Sequence, residues 1–374
     1  SFPTRRSSDL ISPFYTWQDE CGFLPYTGDL TYAEYLSRES GYAMASGFGL
    51  TTLFYHTHTG QLPAGAAQFC TIHDFIAMRL AGRKEPLIHV TDAASFGFWD
   101  AAECTFDRAA IAGCGMDVRL LPEVTAGCEI IGRTKEGIPI CVAIGDNQAS
   151  FLGSVDDMEA CIQVNIGTGS QISVSADRTP DIARNGLELR PYFDGKKLLT
   201  GSPLCGGRAY ALLENLFRSV VEMAGGDGKE SLYARMGQYL MAAGEIENPL
   251  TVTTKFRGTR ENPDERGRIE NITFDNFTPV HLMHGFLSGI AQELYDMVEP
   301  ICTSGDIHYK QLVAAGNGVR KNPTLGNILS DKFALPVRIP AHCEEAAYGA
   351  ALFAMTCVGR FESLADAQRM IRYE

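Results

Sequence analysis

The stretch Ile138-Pro139-Ile140-Cys141-Val142-Ala143-Ile144 is an unbroken apolar run of strand length that stops at Gly145-Asp146. Such a run predicts a buried strand feeding a loop, and loops at strand ends are where α/β proteins keep their chemistry. The chain around it is long. Its 374 residues exceed what one hydrophobic core usually supports, so two domains are expected, with a cleft between them. The boundary is placed near Ser150 to Asp157, dividing the chain into 11–152 and 153–374.

Charge and cysteine usage narrow the partners. A net charge of −13 repels a phosphate backbone and an anionic bilayer alike, so no nucleic acid or membrane partner is expected. No apolar run approaches the roughly 18 residues of a membrane span. Any anionic ligand must then be held by local dipoles. Eleven cysteines, an odd number without a C-x-x-C pair, fit free thiols in a reducing cytoplasm better than a disulfide framework or a zinc site.

Other elements follow from periodicity. Tyr32, Tyr35, Leu36, Tyr42 and Ala43 have helical spacing between a capping Thr31 and a terminating Gly47, and Thr71 to Leu80 reads as a helix stopped by Gly82. Cys161 to Asn165 and Gln171 to Ser175 are two strands around a Gly-rich turn. Helices are expected over about 207–224, 231–243 and 279–302, then a strand at 310–315, and helices beginning at Glu344 and Ser363.

Four places could carry chemistry. Asp146 follows the apolar run at the start of an expected helix, where a carboxylate can serve as general base in phosphoryl transfer to an alcohol; a plain N-cap aspartate would look the same. Gly167-Thr168-Gly169-Ser170 supplies backbone N–H groups and hydroxyls that can wrap a phosphate, although a hairpin also uses Gly-x-Gly for its positive φ positions. Gly316-Asn317-Gly318, before Asn322-Pro323, and Gly206-Gly207 are further turns ahead of helices, where a backbone can approach a ligand or simply change direction. Common alternatives fail on spacing. Gly228-Lys229 is followed by Glu230 where a P-loop needs Ser or Thr, and the pairs His56/His58 and His281/His284 lack a third ligand, so no metal ligand is assigned.

In this order the pieces resemble the FGGY carbohydrate kinases. Thr16-Trp17-Gln18-Asp19 is similar to the family's Trp-bearing substrate stretch, Gly145-Asp146-Asn147-Gln148-Ala149 to its catalytic loop, and Asn165 to Ser170 to a phosphate hairpin. Gly316 to Asn322 resembles the adenosine segment, and Glu345 to Ala351 the helix after it. Thr71-Ile72-His73-Asp74 and Thr91 to Gly97 look like the members that phosphorylate sedoheptulose. Gln171 agrees, being polar where kinases of shorter polyols place an aromatic residue.

The resemblance implies an α/β fold of two RNase-H-like domains of the actin and Hsp70 ATPase type, the first of them incomplete. It implies a cytoplasmic kinase that moves a phosphoryl group from ATP, with Mg²⁺ carried by ATP, to the terminal hydroxyl of a ketose, foremost sedoheptulose to its 7-phosphate. Asp146 would be the base, and Trp17, Asp19, Asn147 and Gln171 would bind sugar. Gly167, Thr168, Gly169, Gly206, Gly207, Gly316, Asn317, Gly318 and Asn322 would border ATP. Xylulose or a related pentulose as substrate, and a non-catalytic actin-like nucleotide-dependent binding protein, are the alternatives; a homodimer is allowed. The general family signatures near Leu62 to Arg79 and Gly267 to Phe286 are matched poorly, which leaves room for another ketose kinase, and further departures are at the start of the chain. Ser1 to Leu10 read like the conceptual translation of a sequencing adapter and are set outside the fold. The family's opening Asp-x-Gly-Thr hairpin and Gln-x-His-Gly stretch have no counterpart, so the chain by itself is expected to be inactive.

Overall fold

A computed structural model describes residues 2–4, 9–176, 186–259, 262, 264–304 and 307–374. These form two compact units. Unit 1 comprises Ser1–Leu152, Arg190–Lys197 and Ala346–Ala367, and unit 2 comprises Gly153–Leu189, Leu198–Glu345 and Gln368–Glu374.

Unit 2 is organised by a six-stranded sheet in the order Glu188–Pro191, Lys197–Gly201, Ser170–Ser175, Cys161–Ile166, Gln311–Ala315, Val337–Arg338. The expected hairpin is present, with Ile166 opposite Ser170, and its first strand pairs in parallel with Gln311–Ala315, Asn165 opposite Ala315. Ile162, Val164, Ile172, Leu199 and Leu312 are buried on the sheet, and the long helix Pro279–Thr303 covers it with Leu287, Ile290 and Leu294. The helices Gly207–Met223, Tyr233–Ala243 and Pro279–Thr303 lie within two residues of their expected positions, and Pro323–Phe333 starts where a helix is expected.

Unit 1 is helical around an aromatic core of Phe54, Phe69, Phe96, Phe98 and Phe106 with Leu36, Leu50 and Ile88. Two of its helices begin as the sequence indicates: Thr31 and Thr71 each form a capping box, with Glu34 and Asp74 as the returning carboxylates.

Three expectations for this unit are corrected. The helix after Thr31 ends at Ser40 with Gly41 in the left-handed region (φ 75°), not at Gly47. Gly47 has a different duty: its φ is 87° and a Cβ there would sit 2.2 Å from the Trp17 carbonyl oxygen, so the glycine admits the Trp17 backbone. The run 138–144 is not a buried strand, because only Pro139–Cys141 is a strand, it pairs among the described residues with Ile130–Arg133 alone, and Ile138 is 59% exposed. Pro139 has no N–H to donate to a second neighbour, which suits a strand paired on one side. Finally, of the residues set outside the fold, Phe2–Thr4 pairs antiparallel with Gln68–Cys70. An open strand edge takes up whatever extended backbone can reach it.

Candidate active site

In unit 1 the apolar run delivers Gly145-Asp146 to the start of the helix Asp146–Ser154. The turn is pinned. Gly145 N–H donates to Thr91 Oγ1 at 2.9 Å, Thr91 Oγ1 lies 2.8 Å from His89 Nδ1, and buried Gln148 donates through Nε2 to the Pro191 carbonyl at 3.0 Å. A Cβ on Gly145 would meet the Thr91 carbonyl at 2.9 Å, so no larger residue fits without moving the turn. Asp146 is exposed at the first helical position, with the Asn147 N–H donating to its Oδ1 at 2.6 Å; Asn147 beside it is buried. The helix N-terminus favours a carboxylate there.

Three residues not assigned to the site beforehand gather near this turn. His73 Nε2 pairs with Asp92 Oδ2 at 2.8 Å, and Asp74 completes a group whose ligand-type atoms lie within 4.8 Å of one another. Burial acts to lower the His73 pKa, but the Asp92 hydrogen bond and the charges of Asp92, Asp74 and Asp146 outweigh it and push it up to about 9. Burial, and then the Asp92 charge, push Asp74 up to about 7. Asp74 is 1% exposed and its Oδ1 meets no hydrogen-bond partner. His73 therefore holds its proton at neutral pH. A protonated imidazole cannot ligate, so these residues do not fit a magnesium site, which would need oxygen donors. His73 and Asp74 were visible as the capped helix start Thr71-Ile72-His73-Asp74, but nothing local in the sequence joins them to Asp92 and Asp146.

Trp17 and Asp19 belong to another part of unit 1. The Trp17 side chain is 76% exposed, while the Asp19 carboxylate accepts from the Cys21 N–H at 2.9 Å and its carbonyl accepts from Ser46 Oγ. Gln171 lies in unit 2, half-buried, with Nε2 donating to Ser202 Oγ at 3.3 Å.

The three glycine turns of unit 2, far apart in sequence, meet at one end of the sheet. Arg208 N–H donates to the Thr168 carbonyl at 3.0 Å. A Cβ on Gly206 would sit 2.3 Å from Gly169 C, one on Gly207 2.1 Å from Gly167 O, and one on either Gly316 or Gly318 2.6 Å from Ile166 O. Gly206 and Gly316 also have positive φ, at 46° and 88°. These four glycines are thus explained by backbone packing and conformation. Gly167 and Gly169 are not: neither has positive φ, and a Cβ on either would touch nothing within 4 Å. Their open face, next to a buried Ser170 Oγ without a partner, is a cradle with room for a ligand. Thr168 and Asn317 are exposed beside it. Asn322 accepts from Leu325 N–H as the cap of the helix Pro323–Phe333. Two of the four histidines in the pairs passed over as metal ligands meet helix backbone or its cap: His58 Nδ1 lies 3.0 Å from the Phe54 carbonyl, and His281 Nδ1 lies 2.7 Å from the capping Thr278 Oγ1.

Residues 26–153 match the N-terminal domain, and residues 163–357 the C-terminal domain, of the FGGY family of carbohydrate kinases. The chain belongs to the FGGY family. It is a carbohydrate kinase, a phosphotransferase with the two-domain fold of the actin and Hsp70 ATPases. It is 26% identical over 363 residues to sedoheptulokinase from Mus musculus, covering 91% of this chain and 73% of the mouse protein. Among solved structures it is similar to gluconate kinase from Lactobacillus acidophilus, with a TM-score of 0.80 at 17% identity over 100% of this chain and 76% of that one. It is also similar to Plasmodium falciparum glycerol kinase with ADP, with a TM-score of 0.72 at 19% identity over 94% of this chain and 74% of that one. No described helix is long and apolar enough to cross a membrane.

Proposed function

We propose that this FGGY kinase phosphorylates the terminal hydroxyl of a ketose, sedoheptulose first, giving the 7-phosphate, with Asp146 as the general base. The observation that carries the reading is Asp146 itself: an exposed carboxylate at a helix start, on a turn fixed by Thr91 and Gln148, with the His73–Asp92 pair close enough to feel its charge. A carboxylate so held can accept the hydroxyl proton as the oxygen attacks. The cationic His73 adds positive charge near a place where negative charge builds up.

The open face at Gly167 and Gly169, with Thr168 and Ser170, suits the phosphates of ATP, and Gly316 to Gly318 suits the flat base beside them. ATP supplies the phosphoryl group and brings Mg²⁺ with it; no residue of the chain is assigned to the ion. Asn147, Gln171, Trp17 and Asp19 are the proposed sugar contacts.

The choice of sugar is supported by the mouse relative's name, by Thr71 to Asp74, and by Gln171, a half-buried amide suited to hydroxyls. Buried groups meant for extra hydroxyls are left unpaired by a shorter sugar. The kinase is therefore expected to show a higher kcat/KM for D-sedoheptulose than for D-xylulose, with phosphate on C7 by NMR of the product. A reversed preference would move the assignment to a pentulose.

A further inference from the structure

In unit 2 the one-turn helix Asn317–Arg320 follows Gly316, and its two ends are held by different means. At the near end Gly316 and Gly318 lie against the Ile166 carbonyl, and Val319 is buried beside them. At the far end the Arg320 side chain is only 12% exposed, and its Nη2 donates to Glu345 Oε1 at 2.7 Å and to the His342 carbonyl. Both acceptors are themselves fixed. Glu345 is buried as the first residue of the helix Glu345–Cys357, where the helix dipole favours a carboxylate, and His342 Nε2 lies 2.6 Å from the Gly153 carbonyl. Glu374 Oε1 lies 3.6 Å from Arg320 Nη1 but is well exposed, so it adds little. Of residues 316–320, only Asn317 is exposed.

A buried ion pair rarely adds net stability, because the cost of taking two charges out of water offsets their attraction. What it supplies is direction. A planar guanidinium can serve two acceptors at once only in a fixed orientation, which an ammonium or an amide does not reproduce. Two acceptors from the segment 342–345 on one guanidinium therefore fix the end of the turn to that segment.

We propose that Arg320 is a positioning residue for the nucleotide base: by tying the end of the turn to Glu345 and the His342 carbonyl, it sets where residues 316–318 border the adenine ring. The proposal rests on that turn being the base site of the kinase reading. Among the described residues Arg320 makes no hydrogen bond to the cradle Gly167–Ser170, so the base and the phosphates of one ligand should respond differently to its loss.

The test is isothermal titration of the chain with ATP and, in parallel, with inorganic tripolyphosphate, which carries the phosphates without base or ribose. In Arg320→Gln the ATP affinity should fall by about tenfold, the size of one lost charge-assisted hydrogen bond, while tripolyphosphate affinity stays within about twofold. Arg320→Lys should recover only part of the loss, since a point charge cannot hold both acceptors. A single substitution leaves Glu345 buried without its partner, so the double variant Arg320→Met with Glu345→Gln, which has no unpaired buried charge, keeps the measurement open if the single one unfolds. It should show the same split between the two ligands. Equal ATP affinity in parent and variants would remove Arg320 from base positioning and leave the base site standing. Parallel loss of ATP and tripolyphosphate in the double variant would reduce the ion pair to a general support of the fold and overturn the proposal. An unsubstituted chain that binds no ATP would take away the base site itself, and the proposal with it.

Discussion

The glycine cradle of unit 2 and the carboxylate site of unit 1 solve the problem of handling charge in opposite ways. In the cradle the backbone does the positioning, and side chains are absent because they would collide or block: Gly207 leaves only 2.1 Å between a would-be Cβ and Gly167 O. At Asp146 the backbone is merely a pinned turn, and side chains from three segments, at positions 73–74, 91–92 and 146–148, supply the charge and the hydrogen bonds. The packed Gly206, Gly207, Gly316 and Gly318 of the first site leave no room for an added atom, and the second site tolerates no lost one. Substitutions should therefore fail in different observables, affinity and stability in unit 2, turnover in unit 1.

The largest effect is expected at Asp146. Asp146→Asn keeps the shape of the turn and removes the proton acceptor, so kcat should fall by roughly 100-fold or more while ATP and sugar affinities stay within a few-fold. Steady-state kinetics together with calorimetric binding read both quantities. Turnover near that of the parent would take Asp146 out of the mechanism and with it the contrast between the two sites.

Within the cradle, a pair of substitutions separates packing from ligand contact. Gly207→Ala must displace the hairpin backbone, so both the melting temperature and nucleotide affinity should drop, the affinity by about tenfold or more. Gly167→Ala meets nothing within 4 Å and should leave the melting temperature unchanged, yet weaken ATP several-fold if phosphate lies on that open face. Unchanged ATP affinity in Gly167→Ala, measured by isothermal titration, would show that the open face is not where the nucleotide sits.

This difference also explains what could be read from the chain. The hairpin 161–175, the helix 207–223 and the cap Thr31 depend on local chemistry, strand alternation, glycine and capping side chains, and all are where the sequence puts them. The run 138–144 misled because its apolar character says nothing about how many neighbours a strand will find, and Pro139 limits that number. Gly47 was legible as a glycine with a purpose but not as the partner of Trp17, a contact across thirty residues. The clustering of the three glycine turns was signalled only by their number; their contact depends on the parallel pairing of Cys161–Ile166 with Gln311–Ala315. His73–Asp92 was the least accessible, since neither residue is unusual where it stands, and only the tertiary fold makes them an ion pair.

That ion pair gives a smaller, sharper test. Asp92→Asn removes the negative charge that helps hold the His73 proton, while burial and the charges of Asp74 and Asp146 stay, so the His73 pKa should fall from about 9. The loss of positive charge beside Asp146 should cost turnover by about two- to tenfold, most at high pH. NMR titration of the imidazole distinguishes this from simple misfolding, because a folded variant with an unchanged His73 pKa would remove Asp92 as its partner.

The smallest expected effect is on stability against pH, and it comes from the same buried group. Asp74 and His73 are both shifted upward, from 3.8 to about 7 and from 6.5 to about 9. A raised pKa means that the native state binds the proton more tightly than the unfolded chain, so stability falls as pH rises wherever the two states differ in protonation. For His73 the contribution is full below pH 6.5 and is lost as pH climbs through about 9. For Asp74 the folded state is favoured while the carboxyl stays protonated, and this advantage is lost between pH 3.8 and about 7. His73 is 42% exposed, and solvent screening makes its share the lesser one. Asn at position 74 imitates the protonated acid and can still accept from Thr71, so Asp74→Asn should match the parent at pH 5 and exceed it at pH 8 in urea melts of the chain. A variant that loses more stability at pH 8 than at pH 5 would mean that Asp74 works as a carboxylate, with the proton held elsewhere in the cluster.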